Sequence, residues 1–97
     1  MPLFVPPPVI TKTITPPGTT GNRTINSQAG SVNFGIGEDT LIVTNSLCTS
    51  SSILMANVAT NDDTLTAVRA VPSNGSFMLV GNAAATSETR VSFCLVL

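Results

Sequence analysis

Histidine, tryptophan and tyrosine are absent from this chain of 97 residues, and charge is scarce, with four Lys and Arg against five Asp and Glu, 9% in all. Without histidine there is no imidazole for acid–base catalysis or for metal ligation. The basic residues stand singly at 12, 23, 69 and 90. No patch forms, and a nucleic-acid role loses its electrostatic footing. No apolar run approaches the ~20 residues of a membrane-spanning helix. The N-terminus, Met1-Pro-Leu-Phe-Val-Pro-Pro-Pro8, lacks both the basic region and the long apolar core of a secretory signal. Cys48 and Cys94 are 46 positions apart and make no zinc motif. In an exported protein they would suggest one disulfide, but Leu47 beside Cys48 and Phe93 and Leu95 around Cys94 favour two reduced thiols packed as small hydrophobes. Gly35-Ile-Gly37 lacks the further glycines and the following helix of a phosphate-binding loop. No cofactor is expected, and no enzymatic activity.

What is present is 42% hydrophobic residues set among Ser, Thr, Asn and Gly. That is the reverse of a disordered composition. The length is that of one domain, which buries only about 60–68% of its unfolded surface, so association would help it. A surface of neutral hydroxyls and amides is covered by a partner without the large desolvation cost of buried charge.

Residues 1–21 read as a Pro-rich extended arm, and 22–97 as a β-sandwich domain. Six of the seven prolines lie within the first 17 positions. Proline lacks an N–H and fixes φ, so this stretch forms neither helix nor inner strand, and Pro6-Pro7-Pro8 favours polyproline II. Val9–Thr15 is β-prone and suited to a sheet edge. Leu3, Phe4, Val5, Pro6, Pro7, Pro8, Val9 and Ile10 are too apolar for a solvated linker and are expected to bind a partner. After the arm, strands are expected at Arg23–Asn26, around Val32, Phe34 and Ile36, at Thr40–Thr44, Ile53–Ala59, Leu65–Val71, Phe77–Val80 and Arg90–Leu97. Ile53–Ala59 reads as buried on both faces. Pro72-Ser-Asn-Gly75 is a turn signal. The last three strands are expected as an antiparallel meander. Val91, Phe93, Leu95 and Leu97 alternate with Ser92, Cys94 and Val96, so this closing stretch is either paired inside a sheet or covered by another subunit. Leu95 and Leu97 are its candidate partner contacts. Short strands punctuated by turns about every 8–12 residues indicate an all-β fold, a small antiparallel, jelly-roll-like β-sandwich. Phe34, Phe77 and Phe93 are expected to share its core.

The acidic pairs Glu38-Asp39 and Asp62-Asp63 fall in expected loops. They read as solvated turn acids, with Ca²⁺ ligation as the alternative. Arg69 and Arg90 read as edge-strand charges or as interface arginines, Arg90 within reach of Glu88. The Asn22-Arg-Thr24 and Asn74-Gly-Ser76 glycosylation patterns are read as chance.

The runs Gly18–Asn26, Ala29–Phe34, Val43–Leu47, Ala59–Asp62, Gly75–Phe77, Ala83–Thr86 and Val91–Phe93 resemble small virion proteins of tailed bacteriophages, over about 75 residues from Gly18 to Leu97. The best-fitting role is a capsid decoration (cement) protein. The resemblance implies a virion location on the outer capsid surface, binding to the major capsid protein, self-association as a dimer or trimer, and stabilisation of the shell. It carries over no catalytic residues, and neither nucleic acid nor membrane is an implied partner. The alternative is a tail-fibre or adhesin module for host-surface binding, which the lack of Trp and Tyr disfavours.

Overall fold

The computed structural model describes residues 11–96. Leu3, Phe4, Val5, Pro6, Pro7, Pro8, Val9, Ile10 and Leu97 lie outside that range. The described residues form strands only: β1 (Lys12–Ile14), β2 (Arg23–Thr24), β3 (Ala29–Phe34), β4 (Thr40–Thr44), β5 (Ile53–Val58), β6 (Val68–Ser73), β7 (Ser76–Gly81) and β8 (Thr89–Val96). They make two four-stranded sheets, ordered β1-β3-β8-β5 and β2-β4-β7-β6, which pack as a sandwich.

Period-two alternation builds the space between the sheets. Val32, Phe34, Val91, Phe93 and Leu95 of the first sheet meet Leu41, Val43, Phe77 and Leu79 of the second, all buried. Phe77 and Phe93 pack edge to face with ring centroids 4.9 Å apart, the arrangement that aromatic quadrupoles prefer. Gly30 sits opposite Phe93 in the β3–β8 register. A Cβ there would lie 2.5 Å from the Thr13 carbonyl oxygen and 3.1 Å from the Phe93 ring. Glycine thus lets β1 and the ring close on the same point of β3.

The sheets are mixed rather than purely antiparallel: β1 pairs with β3 and β2 with β4 in parallel. Both parallel strands are short edge strands from the N-terminal third of the chain. Residues 11–21, expected within the arm, are bound to the sandwich. The Asn33 amide donates to the Pro16 and Thr19 carbonyls (3.0 Å each), the Gly21 N–H donates to the Asn33 carbonyl, and the Gly18 N–H donates to the Glu88 carboxylate (2.9–3.0 Å). This cover buries Ser31 and Asn33 on the outer side of β3.

Three expectations are corrected. β3, not β5, is the strand buried on both sides; Ile53 and Met55 of β5 point outward, 64% and 57% exposed, because among the described residues nothing comparable to residues 15–20 crosses them. Ile36 stands in the turn after β3 rather than on its buried face, beside Gly37 with φ 85°. The last three strands are not a meander: β6 and β7 form a hairpin, but β8 crosses to the first sheet and inserts between β3 and β5. The 82–88 connection is long enough to span the ~10 Å between packed sheets.

Candidate functional site

Leu95, a candidate partner contact, is wholly buried between the sheets of its own chain. Inward and outward positions alternate along β8, so the exposed apolar residue near its end is Val96. The sequence pattern showed the alternation but not which set faced the second sheet.

Among the described residues, apart from isolated Ile14 and Ile36, exposed apolar side chains gather in two areas. On the second sheet, Ile42, Met78 and Val71 stand directly opposite one another across β4, β7 and β6, each 36–44% exposed. The neighbouring rows are Thr44, Ser76 and Ser73 on one side and Thr40, Val80 and Arg69 on the other. On the first sheet, Ile53 lies opposite Val96 and Met55 opposite Cys94. Leu47, Ile53 and Val96, with Thr49, Ser51 and Ser52, line an open groove of about 410 Å³ at that end. Reading β5 as fully buried hid this second area.

The acidic residues fasten loops. Asp62 accepts the N–H groups of Thr64, Leu65, Thr86 and Ser87 and the hydroxyls of Thr64, Thr86 and Ser87, at 2.9–3.3 Å. These donors, the Leu65 N–H foremost, hold its carboxyl far below the ordinary carboxylate range, against a smaller opposing push from desolvation. Its oxygens are thereby committed to two loops, 59–67 and 82–88. Glu38 accepts the Gly35 N–H and Asp39 the Thr40 hydroxyl. No group of three or more metal-ligating side chains occurs among the described residues.

Asparagines do similar work. Buried Asn45 donates to the Ser27 carbonyl and accepts the Leu47 N–H, both at 2.9 Å. Asn82 accepts from Thr66 and Ala67 N–H and donates to the Thr64 carbonyl, while Asn22, Asn26 and Asn74 accept from Ile42, Ser46 and Ser50. The polar composition is thus largely spent on backbone groups that the short strands leave open.

Arg69 and Arg90 are exposed. Arg90 stands opposite Asn33 and donates its backbone N–H to Thr60 Oγ1; Glu88 beside it is bonded to Gly18. Arg23, across from core residue Val43, has a buried Nη1 without a hydrogen-bond partner among the described residues. Cys48 is buried and Cys94 half-buried, both free thiols. No protein-family model, curated protein or solved structure gives a significant match to the chain.

Proposed function

We propose that this chain is a non-enzymatic structural protein of a virion, a decoration (cement) protein that binds the major capsid protein on the outer shell and stabilises it. The observation that carries the reading is the in-register row Ile42, Met78 and Val71 with its mostly neutral neighbours, Arg69 being the one charge. A flat apolar row bordered by hydroxyls suits a broad contact whose centre is dry and whose rim is polar. The resemblance of Gly18–Leu97 to small phage virion proteins supplies the kind of partner. The same reading takes the fold as jelly-roll-like, residues Leu3–Ile10 as an arm lying across a neighbouring subunit, and self-association as part of the assembled state.

The test mixes purified protein with expanded phage heads that lack it and counts bound copies by sedimentation and cryo-microscopy. Saturable binding at a fixed ratio to capsid subunits is expected. Met78→Glu should abolish it without unfolding the domain, since Met78 lies on the outer face. Removal of residues 2–10, which spares β1, should weaken it. Absence of saturable binding by the intact chain refutes the role.

A further inference from the structure

The free edge of β5 is distinguished from the other sheet edges by its lack of protection. Exposed edges recruit foreign strands unless charge, proline, shortness or cover prevents it. On the same flank β6 carries Arg69 and Pro72; on the opposite flank β1 has three residues with Lys12 and is followed by Pro16-Pro17, and β2 has two residues. By contrast β5 is six residues long, Ile-Leu-Met-Ala-Asn-Val, without charge, proline or glycine. Among the described residues it is hydrogen-bonded to β8 alone, β6 running beside it in the other sheet without joining it.

The register identifies which backbone groups are open. The Ala59 N–H donates to the Arg90 carbonyl at 2.7 Å, continuing the β5–β8 ladder. Antiparallel residues alternate between bonded and non-bonded pairs. Ile53, Met55 and Asn57 therefore turn their backbone groups to β8, and Leu54, Ala56 and Val58 turn theirs away from it. At this bare ladder Ile53 and Met55 present exposed apolar side chains on the outer face.

We infer that β5 is a strand-addition site whose occupant is a second copy of β5, paired antiparallel about a two-fold axis through Met55. Register and chemistry select this partner. With Met55 opposite Met55 of the other copy, Leu54 meets Ala56 and Ile53 meets Asn57. Outward residues stay outward, inward residues stay inward, and the open groups of Leu54 and Ala56 bond to each other. No charge is opposed to any other, and the self-complementary contact closes as a dimer rather than propagating. The two first sheets become one eight-stranded sheet, with the two Met55 side chains adjacent on its outer face. This specifies the interface for the self-association in the proposed function, yet it rests on β5 alone and its test does not involve heads.

Sedimentation equilibrium of the full chain over about a hundredfold range of concentration should show a monomer–dimer equilibrium. Met55→Lys should weaken it at least tenfold while leaving the circular dichroism unchanged. Met55→Cys, made with Cys94→Ser to remove the thiol opposite it, should oxidise to a disulfide-linked pair, because a non-bonded antiparallel pair brings Cα atoms within about 4.5 Å. A wild-type monomer throughout, a trimer, or a dimer indifferent to Met55→Lys with no cross-link overturns the inference.

Discussion

Asn45 is the buried polar residue on which one end of the sandwich depends. Its side chain is inaccessible, and both halves of its amide are used at 2.9 Å, on Ser27 and Leu47. Asn45→Ala removes both bonds and leaves the buried Ser27 carbonyl and the part-buried Leu47 N–H without that partner, a cost of about 2–4 kcal/mol. Against a typical total of about 5–15 kcal/mol, that is a large share, and it should lower the melting temperature by roughly 10–25 °C. Asn26→Ala is the control, because its bond to Ser46 is exposed and water replaces it at a cost below about 1 kcal/mol. Asn45→Asp adds a sign test. A carboxyl buried there has its folded pKa raised by desolvation, so the destabilisation relative to wild type is absent below the unfolded pKa and grows as pH rises toward the folded value. Protonated, the new group can still donate to Ser27. Thermal melts of wild type and the three variants at matched pH decide the matter. Equal costs for Asn45→Ala and Asn26→Ala, or a pH-independent deficit for Asn45→Asp, would refute the account.

Asp62 should show the opposite pH behaviour. Its folded pKa is depressed by its donors, so its contribution is present above the unfolded value and is lost as pH falls through the carboxylate range. Denaturant midpoints measured from neutral to acid pH should fall less steeply for Asp62→Ala than for wild type; parallel curves would contradict this. Gly30→Ala should cost about 1–3 kcal/mol through the clash with Thr13 and Phe93. It should also speed hydrogen exchange of the Ala29 and Thr15 N–H groups, which bond β1 to β3 through Thr11 and Ser31; unchanged exchange would mean that the contact relaxes freely.

The strands were legible where apolar residues alternate with polar ones, as in Arg90–Leu95, or where a short β-branched apolar run is bounded by turn residues: Thr40–Thr44 falls where it was expected, and Phe34, Phe77 and Phe93 share the core. Strand order was not legible, because the alternation in β8 is satisfied equally beside β7 or between β3 and β5. Cover was not legible either. Ser31 and Asn33 look solvent-facing by pattern and are buried by residues far earlier in the chain, whereas Ile53 and Met55 look buried and are not. Asp62 could have been suspected from the Thr and Ser around it and at 86 and 87, but its loops meet only because β8 changes sheets. Free apolar surface is a property of tertiary neighbours, and periodicity within one strand is silent about them.

The position of β8 has a bearing on synthesis. It is the second inner strand of the first sheet, and its partners β3 and β5 have no ladder with each other. A nascent chain can close the β4-β7-β6 part of the second sheet as soon as residue 81 clears the ribosome. The first sheet has no axis until residues 89–96 follow. Until then Phe77 on the inner face of β7 lacks the Phe93 ring that packs against it, and Phe34 and Val58 lack their β8 neighbours Thr89 and Val91. A chain ending before Thr89 would therefore hold the β4-β7-β6 part of the second sheet but have no strand joining β3 to β5.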